Sequence, residues 1–261
     1  MAGIREYYIR GGHLSFELDS EHTDGELTAA EMAILAPWLD GVRNAFHLCC
    51  GAGRHVRAFA RKGILSLGLD ISPYLLGRGL EEIRTEGLET HSAVLRADAL
   101  AIPASAGCID CLTLLGNSFV FFSDREAQRL LDEARRVLRP GGIFALDIPC
   151  HQHMTDLIRR RDRETGRLTS TSLGQVSFTW QRDLEEGTRV LVSREVVEHN
   201  APDGRMRRME MLFRFRLYRP EEICSLLDSM KFSLMAQCDC LGPPGRYRGM
   251  LKKRILFLFR R

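Results

Sequence analysis

The sequence predicts an α/β fold in which helices cover both faces of a mostly parallel sheet. Short apolar segments alternate with helical patterns from residue 46 to residue 148, an alternation that is typical of βα units. The apolar segments are continuous hydrophobic runs, as expected for strands that are buried on both faces. After residue 150 the pattern changes to alternating runs separated by "EEG" and "PDG", which are hairpin signals. An antiparallel insertion is therefore expected at residues 151–219.

The individual elements can be assigned in order along the chain. Residues 26–39 have the apolar spacing of a helix. A second helix is expected to end at Gly63, a third to begin at Ser72, and a fourth to end at the pair Pro140–Gly141. A fifth helix begins near Pro220. The predicted strands are "NAFHLCC", "ILSLGLD", "HSAVLRAD", "CIDCLTLLG", "IFALDIP" and the closing "KKRILFLFRR".

This order divides the chain into four predicted parts. They are a helical cap at residues 1–40, a ligand-binding core at 41–150, the antiparallel insertion at 151–219, and a final helix and strands at 220–261. The insertion is expected to serve as a lid over the core, as a dimer surface, or as both.

Composition excludes several classes of protein. The chain has 261 residues, 44% of them hydrophobic and 27% charged, and its formal net charge of +3 is too small to indicate a nucleic-acid-binding protein. The segment "MAGIREYYIRGG" lacks the apolar centre of a signal peptide, and no run is long enough to span a membrane. A cytoplasmic protein with reduced thiols is predicted.

Eight cysteines raise the question of a metal site. "CIDC" at 108–111 and "CDC" at 238–240 resemble paired zinc ligands. However, "CIDCLTLL" has the pattern of a strand, in which residues three apart face opposite sides. The second pair has no histidine close by. We therefore expect buried apolar thiols and no metal.

A glycine-containing turn follows the first strand, in "FHLCCGAGRH". Gly51 and Gly53 allow the backbone to approach a ligand closely, and such a turn between strand and helix is where these sheets bind ligands. Asp70 ends the second strand, where a carboxylate can accept two ribose hydroxyls. Asp98 ends the third strand and can accept a hydrogen bond from an amino group of a base. These features describe an adenosine pocket. NAD fits less well, because the NAD-binding motif requires a third glycine and Val56 occupies that position here.

Five motifs in order resemble those of class I S-adenosylmethionine-dependent methyltransferases of the small-molecule type: "FHLCCGAGRHVRAFARKG", "LGLDISPYLL", "RADAL", "LTLLGNSFVFF" and "ARRVLRPGGIFALDIP". The resemblance covers residues 46–149 closely and the rest of the chain more loosely. It implies a Rossmann-like seven-stranded methyltransferase sheet with an antiparallel β insertion after strand five. It also implies S-adenosyl-L-methionine as the cofactor.

The resemblance further implies which residues contact the cofactor. The turn from Cys49 to Gly53 would lie under its methionine and ribose, and Asp70 would hold the ribose hydroxyls. The remaining contacts would come from Ile71, Asp98, Ala99 and Leu115. One departure is His47, because the family usually has an acid at that position.

The acceptor is expected to be a small molecule, a secondary metabolite or a metabolic intermediate, methylated on oxygen or nitrogen. An oxygen acceptor benefits from a general base, and His151 or His153 after strand five is the best candidate. The competing interpretation is that both histidines cap a helix or face solvent. Further candidates for contact with the substrate are Tyr8, Asn117, Phe119 and Trp180.

Two other functions remain as alternatives. An RNA methyltransferase is suggested by the basic segments 159–167 and 246–254, but the residues after strand four, "LGNS", lack the (D/N)PP(Y/F) motif. A non-catalytic cofactor-binding scaffold is suggested by His47. No membrane association is expected, and a homodimer that forms through the insertion is a further alternative.

Overall fold

The computed structural model describes residues 3–18, 23–170, 173–185, 187–200, 204–241 and 253–261. Its α-helices are α1 (Ile4–Leu18), α2 (Gly25–Leu35), α3 (Arg54–Ala60), α4 (Pro73–Thr85), α5 (Asp124–Val137), α6 (His151–Arg160) and α7 (Pro220–Ser229). Its strands are β1 (Asn44–Leu48), β2 (Leu65–Asp70), β3 (Ser92–Arg96), β4 (Ile109–Leu114), β5 (Leu138–Pro149), β6 (Arg163–Ser170), β7 (Gly174–Leu184), β8 (Val190–Asn200), β9 (Met206–Arg216), β10 (Ser233–Leu241) and β11 (Lys253–Arg260).

The described strands form two sheets. Seven of them form a sheet with the order β10-β11-β5-β4-β1-β2-β3, in which β11 runs antiparallel to both of its neighbours and the other pairs are parallel. The strands β6, β7, β8 and β9 form a second, antiparallel sheet in sequence order. The predicted fold class, a seven-stranded α/β sheet with an antiparallel insertion after strand five, is confirmed.

Helix starts follow from side chains that accept hydrogen bonds from free backbone N–H groups. Asp24 accepts from the Leu27 amide at the start of α2, and Ser72 accepts from the Leu75 amide at the start of α4. Ser123 and Glu126 form a reciprocal capping box at the start of α5. The predicted start at Ser72 is thus correct.

Two helix ends lie earlier than the sequence predicts. α2 ends at Leu35 and continues as a short 3-10 helix, Ala36–Trp38. α5 ends at Val137, and "LRPGG" already belongs to β5 rather than to the helix. A proline follows closely in both cases, at positions 37 and 140. Arg139, before Pro140, lies in a strand, as expected for a residue that is biased away from the helical conformation, whereas Ala36, before Pro37, keeps right-handed helical backbone.

Alternating residues of the strands divide the apolar core between the two faces of the large sheet. In β11, Phe257 and Phe259 pack into the larger cluster with α5 and α7, whereas Leu256 and Leu258 pack into the smaller cluster with α2 and α3. Burial on both faces explains why these strands are continuous apolar runs.

The insertion sheet joins the larger of these clusters. Phe213 and Phe215 of β9 are buried there together with Tyr7 of α1. The ring centroids of Tyr7 and Phe213 are 5.3 Å apart, and those of Phe121 and Phe215 are 4.9 Å apart. The insertion is therefore packed against α1 and against the loop that follows β4. In the part of the chain that the structure describes, no helix is both long and apolar enough to span a membrane.

Candidate functional site

A cleft lies at the carboxyl ends of β1 to β4, and α1 passes over it. This is where the strand order reverses, because β1 lies between β2 and β4, and open α/β sheets bind ligands at such a point. The predicted cofactor residues that line the cleft are Cys49, Gly51, Asp70, Ile71, Asp98, Ala99 and Leu115. Three successive strand ends thus contribute the side chains that the sequence predicts.

The turn after β1 has left-handed backbone at three positions. The φ angles are +50° at Cys49, +55° at Gly51 and +73° at Gly53, a region that favours glycine. Gly53 does not line the cleft. It precedes α3, and its amide donates to the Cys50 carbonyl at 2.9 Å. Its role is to close the turn so that α3 begins at the edge of the cleft.

The two neighbouring thiols are packing groups of this turn. A Cβ atom on Gly68 of β2 would lie 2.7 Å from the Cys50 sulfur, so the strand and the turn are in close contact there. Burial, and then the nearby Asp70 and Asp98, raise the pKa of the Cys49 thiol, and burial also raises the pKa of Cys50. Both thiols are therefore protonated at neutral pH. Among the described residues, no group of three or more His, Cys, Asp or Glu is arranged to hold a metal ion.

Asp70 connects the turn after β1 with the start of α4. One of its carboxylate oxygens accepts from the Gly51 amide and the other from the Ser72 amide, both at 2.8 Å. Burial nevertheless raises the pKa of this carboxyl group. Each carboxylate oxygen has a further lone pair, so Asp70 is able to accept two hydroxyl groups from a ligand in the cleft.

Asp98 forms an ion pair across the cleft with the cap helix. Its Oδ2 atom accepts from Arg5 Nη2 of α1 at 2.9 Å, and its Oδ1 atom accepts from the Leu100 amide at 3.0 Å. Burial opposes ionisation of Asp98, but the Arg5 and Leu100 hydrogen bonds outweigh it and lower the pKa. Arg5 was not predicted as a site residue, and it is 93 positions away from Asp98 in the chain.

Of the predicted substrate residues, Tyr8 lines the cleft, beside Phe121 and Phe122. Asn117, Phe119 and Trp180 do not. Phe119 is fully buried against Tyr218, and Trp180 stacks on Phe178 within the insertion, with ring centroids 4.5 Å apart.

Asn117 serves as a backbone brace at the end of β4. Its amide N–H donates to Asp147 Oδ1 at 2.8 Å, and the neighbouring Gly116 amide donates to Oδ2 of the same carboxylate at 3.1 Å. The Asn117 side-chain amide is buried and has no hydrogen-bond partner among the described residues. The loop that forms this part of the cleft is thus held by Asp147 from beneath.

The two histidines predicted as bases begin α6, and neither lines the cleft. Burial, together with the charges of Arg219 and Arg189, lowers the pKa of His151. His151 is therefore neutral at pH 7, the form that a base requires, but it faces the arginines near the start of α7.

A buried ion cluster lies beside the cleft, formed by Glu31, Arg54, His55, Asp147 and Arg254. Arg54 and His55 bind Glu31, which also binds Arg254, and Arg254 in turn binds Asp147. Arg54 lines the cleft, whereas the other four side chains do not. Arg54 was not predicted as a site residue, although it directly follows Gly53 of the glycine turn.

His47 lies on β1 at the position where the family usually has an acid. Its Nδ1 atom lies 2.8 Å from Thr113 Oγ1, and its ring packs edge-on against Phe59. Burial lowers the pKa of His47 to about 3, and His55 contributes to this shift. The side chain is therefore neutral, so it places no negative charge beneath the turn.

Residues 45–142 match the family model described as a methyltransferase domain. Methyltransferase GfsG from Streptomyces halstedii is 33% identical over 98 residues, which amount to 37% of this chain and 34% of that protein. The chain covers between 34% and 43% of the length of the curated relatives that it matches.

Solved structures resemble the chain over nearly its whole length. An S-adenosylmethionine-dependent methyltransferase from Clostridium acetobutylicum has a TM-score of 0.71 at 15% identity, with 96% of this chain and 97% of that chain covered. CalS10 from Micromonospora echinaspora, an amino pentose methyltransferase solved with S-adenosylmethionine bound, has a TM-score of 0.66 at 14% identity, with 97% and 98% covered. At these identities the likeness concerns the fold.

The chain thus shares its fold with S-adenosylmethionine-dependent methyltransferases of known structure. Within this fold, residues 45–142 match the family model of a methyltransferase domain. The resemblance seen in the five sequence motifs is confirmed.

Proposed function

We propose that this protein is an S-adenosylmethionine-dependent methyltransferase of a small-molecule acceptor, and that the methylated atom is a nitrogen. The observation that carries the cofactor assignment is the pair Asp70 and Asp98. These carboxylates line one cleft from the ends of two adjacent strands, beside a left-handed glycine turn.

The cleft fits the chemistry of the cofactor. Asp70 keeps acceptor capacity for the ribose hydroxyls beyond its two backbone bonds. Ile71, Ala97 and Ala99 provide an apolar wall for a base next to Asp98. Leu115 and Gly116, at the end of β4, line the continuation of the cleft, where the methionine part would lie.

When bound, S-adenosylmethionine supplies an electrophilic methyl group on a sulfonium, and its in-line transfer depends on alignment and on the exclusion of water. Tyr8, Phe121 and Phe122 line the cleft, and their rings would limit the access of water to a methyl group that is transferred there. The insertion supports these rings through the contact of Phe121 with Phe215. We infer that this sheet covers the acceptor side and limits access to small molecules.

Nitrogen is favoured over oxygen by the titratable groups of the cleft. Among its described lining residues the carboxylates are Asp70, Asp98 and Glu126, and no histidine is present. Asp70 and Asp98 are assigned to the cofactor, and Glu126 accepts from Ser123 in the capping box of α5. An oxygen acceptor would benefit from a free base here, whereas an amine must only be neutral when it attacks.

Calorimetry with S-adenosylmethionine and S-adenosylhomocysteine tests cofactor binding. A screen of amine and hydroxyl metabolites with methyl-labelled cofactor then tests the acceptor. We expect label in amines, and we expect His151→Ala and His153→Ala to change turnover far less than the 10²–10⁴-fold that loss of a general base costs.

Three outcomes would contradict the proposal in different ways. Label in hydroxyl products, together with a large effect of one histidine, would overturn the nitrogen assignment. Label in RNA alone would overturn the small-molecule assignment. Binding without transfer to any acceptor would favour a scaffold protein.

A further inference from the structure

Five arginines lie close together in the chain where α6 ends and β6 begins. We call them the arginine surface, and they are Arg159, Arg160, Arg161, Arg163 and Arg167. All five are exposed, and none of their side chains has an ion pair or hydrogen bond within the part of the chain that the structure describes. None of them lines the cleft. The cleft therefore does not explain this basic segment.

The arginines at the far side of the insertion sheet are, by contrast, held in ion pairs. Arg208 binds Glu198 and Glu210, and Arg214 binds Glu185. Positive charge on the sheet is therefore compensated on β9 and uncompensated on β6.

Strand alternation places Arg163 and Arg167 on the outer face of the sheet, which points away from α1. The exposed residues of β6 are the odd-numbered ones from 163 to 169. Their partners on β7 are uncharged and can form hydrogen bonds: Gln181, Thr179, Ser177 and Gln175. Phe178 and Trp180 alternate with these partners and lie on the opposite face. The outer face of these two strands thus offers cations, hydroxyls and amides, and no aromatic ring.

The strand β6 is also an edge of its sheet. It pairs with β7 on one side, and no described strand pairs with its other side. Alternate residues of an antiparallel strand direct their backbone N–H and C=O groups away from the partner strand, and an extended chain can bind these groups. A second copy of β6 is a poor partner, because antiparallel pairing centred on Thr165 places arginine opposite arginine.

We propose that β6 binds an extended, acidic segment of a partner protein, which adds to the insertion sheet as a further strand. Every second side chain of such a segment lies on the outer face of the sheet. Arg163 and Arg167 are four residues apart on β6, about 13 Å along a strand, so carboxylates at the same spacing in the segment reach both. A guanidinium binds a carboxylate through two parallel hydrogen bonds, which adds geometric specificity to the attraction of charge.

RNA fits this surface less well than an acidic protein segment. Proteins bind single-stranded RNA by stacking its bases on aromatic rings, and the outer face of β6 and β7 has none. An RNA backbone also lacks the regular pattern of N–H and C=O groups that pairs with the edge of a sheet.

Fluorescence anisotropy with the full chain tests the proposal. The probe is a labelled peptide of alternating glutamate and threonine, long enough to span β6. We expect saturable binding that weakens as the ionic strength rises. Arg163→Gln/Arg167→Gln should weaken this binding by about fivefold to thirtyfold, the upper part of the range for two exposed ion pairs. Both side chains are exposed, so the variant should fold like the wild type, which circular dichroism checks.

The matched control is Arg208→Gln/Arg214→Gln. It removes the same charge from the same sheet, but from arginines that already have partners. This control should change the affinity for the peptide by less than about twofold. Equal weakening in the two double variants would mean that only net charge matters, and it would overturn the proposal.

Two further probes separate strand pairing from other kinds of binding. The same peptide with a methylated backbone cannot donate hydrogen bonds to the strand edge, so it should bind more weakly. An oligouridine of similar length should also bind more weakly than the peptide. The proposal is overturned if the acidic peptide does not bind, or if the methylated peptide binds equally well. Tighter binding of the oligouridine, lost in Arg163→Gln/Arg167→Gln, would overturn it by assigning the arginine surface to RNA.

Discussion

Replacing Arg254 with methionine should destabilise the protein more than any change to a surface arginine. Arg254 lies on β11 with its side chain fully buried, between Asp147 and Glu31. The Arg254→Met variant keeps most of the side-chain volume and removes the charge. Glu31 then still has Arg54, but Asp147 loses its cation in a place that water does not reach.

The size of the effect follows from this burial. Removing one partner of a buried ion pair costs about 3–5 kcal/mol, because the remaining charge is left uncompensated. For a chain of this size, each kcal/mol lowers the melting temperature by roughly 2–4 °C, so a decrease of about 6–20 °C is expected. Arg194 is a matched control, because its ion pair with Asp183 is half exposed. Arg194→Met should cost less than about 1 kcal/mol.

The difference between wild type and Arg254→Met should also depend on pH. Burial opposes ionisation of Glu31, but Arg54, Arg254 and His55 outweigh it and hold its pKa well below the ordinary value of 4.5. A carboxyl group whose pKa is lowered on folding contributes stability above its unfolded pKa, and this stability is lost as the pH falls through the folded pKa. The wild-type advantage should therefore be complete at pH 7 and decrease below about pH 4.5.

Thermal and urea unfolding monitored by circular dichroism would measure these differences. The double variant Arg254→Met/Asp147→Asn removes the uncompensated charge and keeps an acceptor for the Asn117 amide, but the Gly116 amide loses its acceptor oxygen. It should therefore regain only part of the lost stability. The reasoning is refuted if Arg254→Met costs no more than Arg194→Met, or if the double variant is less stable than the single one.

Three further predictions concern the cleft. Asp70→Asn should weaken S-adenosylhomocysteine binding in calorimetry by about tenfold to a hundredfold, because a charged acceptor is lost; equal affinity would place the ribose elsewhere. Arg5→Met should strengthen the same binding by up to about fivefold, because the ligand no longer has to break the exposed ion pair between Arg5 and Asp98. Weaker binding would mean that Arg5 itself contacts the ligand. Iodoacetamide at pH 8 should label the exposed Cys108 well before the half-buried Cys49, because the raised pKa of Cys49 keeps its thiol protonated. Peptide mass mapping measures the order of labelling, and labelling of Cys49 first would contradict this prediction.

Local patterns in the sequence determined most of the architecture. Asp70 and Asp98 could be assigned to one pocket without a structure, because the carboxyl ends of parallel strands meet at the same edge of a sheet. The hairpin signals located the insertion, and Ser72 marked a helix start that the structure retains. These features depend on neighbours within a few residues, so the chain order is sufficient to reveal them.

The tertiary structure decided the partners of the charged groups. Arg254 meets Glu31 across 223 positions and Asp147 across 107, and no periodicity in the sequence indicates either contact. The same limit applies to His151 and Trp180, which follow the motifs in the chain but lie outside the cleft. Where the direction of a side chain depends on the packing of distant elements, local sequence patterns do not reveal whether it belongs to a site. In this chain, the packing of α2 against α3 brings Glu31 into contact with Arg54, which lines the cleft.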